Sequence, residues 1–295
     1  MNKLNLGTFL GLVTAVGWSF NGILARLALN IGPFGIVLGR DLIGFSCFMI
    51  LVLLRGKVGH LKIKVSQFKW FVILGVLLGP SSLFAFAAYK QTFISSSSVL
   101  SFTFPLIIAL LSPLVLKEKT TPKELAGVML GVLGVMIIFQ STSSVFTNIT
   151  GNLLSLGSAT TFAFYSLILR KIRNRPPLEV FMVWAFGFSI LSVLILGTLL
   201  NQPFFAYATQ TDFMYLITLG FTGGIIGHAS YNLAVKYVKP HLASTMTLAA
   251  PILATILAWA ILSELPPAMT LLGVAISLTG IFITIRSAAK IFDAG

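Results

Sequence analysis

The sequence predicts an all-α membrane protein of ten transmembrane helices, arranged as two inverted five-helix repeats. Three observations carry this reading: scarcity of charge, ten apolar stretches of membrane-spanning length, and a repeat at a shift of 146 residues. Of 295 residues, 57% are hydrophobic and 9% are charged, against about 25% charged in an ordinary soluble domain. So few charges cannot cover a water-facing surface. The 20 Lys and Arg against 7 Asp and Glu do not indicate a nucleic-acid partner, because they fall between apolar runs and not on one accessible face.

A bilayer core of about 30 Å takes roughly 20 apolar helical residues. Such stretches cover residues 6–28, 32–54, 68–88, 93–116, 122–139, 150–170, 178–199, 212–236, 240–263 and 267–286. The first has no small-residue cleavage site and reads as a retained helix, not a removed signal. Most linkers are a few residues long, so neighbouring spans run antiparallel and leave no room for a soluble domain. The single cysteine, Cys47, lies inside an apolar run and supports neither a disulfide nor a metal site.

With the N-terminus in the cytoplasm, the inner segments hold 17 of the 20 basic residues. They run from Lys3, through Arg55, Lys57, Lys62, Lys64 and Lys69, to Lys117, Lys119 and Lys123. Arg170, Lys171, Arg173, Arg175, Lys236, Lys239, Arg286 and Lys290 complete the set. The positive-inside rule therefore predicts a multi-pass cell-membrane protein with both termini cytoplasmic. Arg26, Arg40 and Lys90 remain, each in or beside the outer half of a span.

At the 146-residue shift Pro105 meets Pro251, Glu118 meets Glu264, Gly127 meets Gly273, Gly134 meets Gly280 and Lys90 meets Lys236. Such self-similarity marks an internal duplication. The first repeat is read as residues 1–140, the second as 150–290, and 141–149 as an external linker. Five spans per repeat is an odd number, so the second repeat lies upside down relative to the first. Inverted repeats let one central site face the two sides in turn, which predicts transport.

These residues also carry a resemblance to the EamA family of the drug/metabolite transporter superfamily. It rests on Gly17, Trp18 and Ser19, on Arg40, on Pro105 to Glu118 followed by Gly127 and Gly134, and on Pro251 to Glu264 followed by Gly273 and Gly280. The resemblance covers essentially the whole chain. It implies ten helices, two inverted bundles, and export or exchange of amino acids, related metabolites or drugs. Lys117 stands where the family often has glycine.

Charge inside the hydrocarbon region costs about 2.5 kcal/mol or more, so Arg40 and Asp41 are functional candidates. Arg40 either ties helix ends through carbonyls or binds a substrate carboxylate; Asp41 is either its counter-ion or a proton carrier. Neighbours on a helix point about 100° apart, so the two need not pair. Arg26 and Lys90 read as snorkelling cations. Polar and aromatic residues recur on equivalent helices: Trp18, Ser19 and Asn21, then Tyr89, then Ser98, Ser101 and Thr103; and Thr161 and Tyr165, then His228, Tyr231 and Asn232, then Ser244, Thr245 and Thr247. As a set they predict a central cavity, although each Ser or Thr alone could bond its own helix. His228 is the histidine well inside a span. It is either buried and hydrogen-bonded or suited to proton coupling. Pro105 and Pro251 are expected to act as gating hinges or as static kinks.

No P-loop, H-E-x-x-H pair or G-x-S-x-G elbow occurs, so the expectation is a secondary transporter without cofactor or resident metal, and not an enzyme. Its expected partners are a small-molecule substrate, the lipid bilayer and protons, as monomer or homodimer. The first reading is amino-acid export by alternating access. The alternatives are a facilitator or importer of another solute, such as a choline-like cation or nucleotide sugar, and an intramembrane lipid-modifying enzyme.

Overall fold

The computed structural model describes residues 2–28, 30–63, 65–91, 97, 100–118, 120–140, 148–172, 175–262 and 268–292. The described residues form helices, turns and loops, with no strand among them. In chain order the helices are α1 (Lys3–Ser19), α2 (Asn21–Leu27), α3 (Pro33–Leu54), α4 (Val65–Gln91), α5 (Phe104–Leu116), α6 (Pro122–Gln140), α7 (Ile149–Lys171) and α8 (Leu178–Leu199). They continue with α9 (Gln210–Leu219), a π-helical segment (Gly220–His228), α10 (Ala229–Tyr237), α11 (Pro240–Met246), α12 (Ala249–Leu262) and α13 (Ala268–Phe292). Eight stretches among the described residues are long and apolar enough to cross a membrane, and α5 is a shorter apolar helix. The chain is a multi-pass membrane protein.

Local chemistry sets the helix ends. Asn2 accepts from the Asn5 amide at 2.8 Å, and Asn148 accepts from Gly151 at 3.1 Å, so each asparagine caps a first turn. Thr121 with Glu124, and Thr209 with Asp212, form reciprocal capping boxes. Pro33 and Pro240 open α3 and α11, where a missing N–H costs nothing. Lys117 takes φ 59°, the left-handed conformation in which a glycine would be unstrained.

The expected spans differ from the helices in continuity. Phe20 separates α1 from α2, and a π-helical segment occupies the middle of the eighth span. The fourth and ninth spans turn just before their prolines. Leu106 bonds Thr103 and Ala250 bonds Thr247, both i to i−3, so Pro105 and Pro251 each stand near the start of a new helical segment, where their missing N–H is tolerated. Ser98 and Glu264 lie outside the described residues.

In a bilayer, apolar surface gives no net drive for helices to associate, so close van der Waals packing must do it. The glycines supply it. A Cβ at Gly134 would stand 2.6 Å from the Gly273 carbonyl oxygen, and one at Gly280 would stand 2.6 Å from that of Gly127. This locks α6 against α13. Elsewhere α3 packs on α8, α4 on α7 and α8, and α5 on α7 and α11, while α1 packs on α10, the π-helical segment, α11 and α12. Leu54, Leu114 and Leu199 are 80%, 78% and 72% exposed, a surface suited to lipid.

Candidate substrate cavity

Between these helices lies a cavity of about 170 Å³. Trp18, Ser19 and Asn21 reach it from α1, α2 and the turn region, and Arg40 from α3. Ser81, Ser82, Phe86 and Tyr89 come from α4, and Ser101, Phe102 and Phe104 from the start of the α5 region. Ser158 and Phe162 of α7, His228, and Pro251 of α12 complete the wall.

Arg40 and Asp41 are 2% and 0% exposed, and they do pair. The Arg40 side chain is long enough to fold back on its neighbour: Nε and Nη2 donate to Asp41 Oδ1 at 2.9 and 2.6 Å. Nη2 also donates to Ser82 at 3.0 Å, and Ser189 donates to Asp41 Oδ2 at 2.6 Å. The guanidinium carbon stands 5.8 Å from the centre of the Phe86 ring. This is a buried charge pair with its hydrogen bonds supplied, the condition under which such a pair is tolerated. Arg40 thus presents to the cavity a cation already balanced by Asp41.

Four polar atoms at the cavity are buried yet make no hydrogen bond among the described residues: Trp18 Nε1, Asn21 Oδ1, Ser101 Oγ and His228 Nδ1. A donor or acceptor left unpaired in an apolar interior costs about 1–3 kcal/mol. The other wall is aromatic. Trp18 stacks on Tyr231 at 5.4 Å between centroids and meets Phe162 and His228 edge-on at 5.3 and 5.4 Å.

Not every residue expected at the cavity lines it. Tyr165, Tyr231 and Asn232 form a sealed layer behind the aromatic wall, because their polar groups satisfy one another. Tyr165 donates to Asn232 at 2.8 Å, Asn232 donates to the His228 carbonyl at 2.6 Å, and Tyr231 shares a 2.6 Å hydrogen bond with Ser166. Ser244 and Thr247 are buried in and beside α11, where each bonds a carbonyl three residues back. Their hydroxyls serve the helix and not the cavity. Arg26 is exposed, and Lys90 donates to the Ala28 carbonyl at 3.3 Å.

Ser81, Ser82, Ser158 and Ser189 were not singled out from the sequence. The Ser81–Ser82 pair, beside Pro80 in an apolar span, was the available signal; Ser189 gave none beyond being a lone hydroxyl.

Behind the sealed layer a charged cluster closes the bundle. Arg170 Nε donates to Glu118 Oε1 at 2.9 Å, and its Nη1 donates to the carbonyls of Val235 and Lys236 at 3.0 and 3.3 Å. Arg175 donates to the carbonyls of Ile172, Asn232 and Leu169. Both guanidiniums therefore cap helix C-termini, where carbonyl charge favours a cation. Burial pushes the Arg175 pKa down to about 10, so it stays charged at neutral pH.

The model of the EamA-like transporter family matches residues 5–140 and again residues 149–286. Among relatives, an uncharacterized transporter of Clostridium kluyveri is 26% identical over 96% of this chain and 94% of its own. A probable amino-acid metabolite efflux pump of Salmonella typhimurium is 23% identical, over 94% of each chain. The aromatic amino acid exporter YddG of Ancylobacter novellus is 23% identical over 85% of this chain and 86% of its own. A solved crystal structure at 22% identity superimposes with a TM-score of 0.81, covering 96% of this chain and 98% of that one, which speaks for the fold. With both halves matched, the chain belongs to the EamA-like transporter family.

Proposed function

We propose that this chain exports amino acids or closely related small metabolites across the cell membrane, binding them in the cavity between Arg40 and the Trp18 aromatic wall. The carrying observation is the set of unpaired polar atoms on Trp18, Asn21, Ser101 and His228 beside one apolar, aromatic surface. A molecule with a polar end and an apolar end satisfies both walls. A zwitterion also suits the balanced Arg40–Asp41 pair, since the site carries both signs within hydrogen-bonding reach of each other. The names of the Salmonella and Ancylobacter relatives support the same cargo class.

Transport works by alternating access between two inverted halves of five spans each, residues 1–140 and 150–290. The contacts support this, because they pair off under exchange of the halves. The packing of α4 on α7 is answered by that of α10 on α1, and that of α5 on α7 by that of α12 on α1. In the state described, the Tyr165–Asn232 layer and the Arg170–Glu118 pair close the side that the basic residues assign to the cytoplasm. Opening that side breaks the Arg170 bridge and draws the aromatic wall apart, while the opposite side closes. Pro105 and Pro251, each just past a turn, are the hinges.

The test is purified protein in liposomes, preloaded with unlabelled amino acids and offered a panel of radiolabelled ones. Counterflow of at least one amino acid, abolished by His228→Ala, is expected. Uptake of choline-like cations or nucleotide sugars with no amino-acid counterflow would overturn the cargo assignment. A rate that rises with an imposed pH gradient would add proton coupling.

A further inference from the structure

Three helices end at the same place with basic residues: α5 at Lys117, α7 at Arg170 and Lys171, and α10 at Lys236. With Arg175 they line a cleft of about 500 Å³, separate from the central cavity. The arginines have a structural account, since they cap carbonyls. The lysines do not. Lys117, Lys171 and Lys236 are exposed, and their ammonium groups make no hydrogen bond or ion pair among the described residues. Glu118 is the one acid lining the cleft, and it is already matched by Arg170 at 2.9 Å.

A basic membrane face attracts anionic lipid everywhere; this cleft adds fixed geometry. Its guanidiniums are held by helix carbonyls, and Arg170 Nη2 makes no hydrogen bond among the described residues. Its walls are charged on one side and apolar on the other, at Val115 and Leu116. Along α5 the apolar side continues to Leu110 and Leu114, 54% and 78% exposed. Charge beside an exposed apolar helix is the outline of a phospholipid, with headgroup and chains in sequence.

We propose that this cleft binds the phosphate of an anionic phospholipid, with Lys117, Lys171 and Lys236 around the headgroup and the acyl chains along Leu110 and Leu114. Arginine favours phosphate through paired N–H donors. The bound phosphate therefore draws on the Arg170 guanidinium that also holds Glu118, which links lipid occupancy to the closure of that side.

Native mass spectrometry on the full-length protein tests this, titrating dioleoyl phosphatidylglycerol, dioleoyl phosphatidylcholine and inorganic phosphate. The wild type is expected to hold phosphatidylglycerol at least tenfold more tightly than phosphatidylcholine. The K117Q/K171Q/K236Q variant is expected to lose that preference, and K62Q/K69Q/K123Q, which removes the same charge outside the cleft, to keep it. If the first triple variant does not fold, K171Q/K236Q carries the same comparison. Equal binding of the two lipids, or equal loss in both triple variants, overturns the site. Displacement of phosphatidylglycerol by millimolar inorganic phosphate overturns the lipid as ligand.

Discussion

The seam between α6 and α13 and the seam between α1 and the π-helical segment are both built on glycine, yet only the second borders a cavity. In the first, Gly127, Gly131 and Gly134 face Gly273, Ser277, Gly280 and Thr284, so small meets small and the backbones touch. In the second, Gly17 also approaches backbone: its Cβ would stand 2.6 Å from the Thr222 carbonyl oxygen and 2.7 Å from the Gly227 nitrogen. But Gly227 faces Trp18, and Gly223 faces Asn21. Glycine here makes room for a large amphipathic side chain whose polar edge ends at the cavity. Close approach seals one region and, by admitting Trp18 and Asn21, furnishes the other.

The comparison breaks most severely at the charge pair behind the cavity wall. Asp41→Ala leaves Arg40 buried without its partner, so a loss of about 3–5 kcal/mol in unfolding free energy is expected, read by thermal unfolding in detergent. Next come the seam glycines. Gly134→Val and Gly280→Val each force the backbones apart, at a cost of about 1–3 kcal/mol, whereas Gly157→Ala, whose Cβ has only Phe84 at 3.3 Å, is expected to be neutral. Similar melting of G134V and wild type would show that the seam is slack.

Trp18→Phe sharpens the other side of the comparison. The indole N–H makes no hydrogen bond among the described residues, so its loss should change stability by less than about 1 kcal/mol. Substrate affinity in the liposome assay should fall about tenfold, the equivalent of about 1.4 kcal/mol. A large drop in melting temperature with unchanged affinity would make Trp18 a packing residue. Smallest is Glu118→Gln. Arg170 and Glu118 are 25% and 27% exposed, and such pairs contribute about 0.2–1 kcal/mol. Faster amide exchange in α10, with little change in melting, is the expected outcome.

Much of this was legible in the sequence because hydropathy and glycine act over short range. The span positions follow from apolar length alone, and Gly127, Gly134, Gly273 and Gly280, picked out as repeat markers, meet at one seam. What depends on three-dimensional partners was not legible. Ser244 and Thr247 looked like cavity hydroxyls, but a helix offers them carbonyls first. Tyr165 and Asn232 come from two spans and satisfy each other, which no single stretch discloses. Arg40 and Asp41 were taken as free to diverge. A four-bond side chain overrode the 100° between them.

The π-helical segment bears on descent as well as on shape. A helix that absorbs an added residue as a wide turn keeps its course while everything beyond is rotated by about 100°. His228, Tyr231 and Asn232 all lie at or after that point. A single-residue deletion between Gly220 and His228 would restore an ordinary helix of nearly the same length and hydropathy. It would still insert, yet it would swing His228 away from Trp18. In this span, sequence length is therefore a determinant of the cavity, and alignments of relatives should treat a one-residue gap there as a change of site.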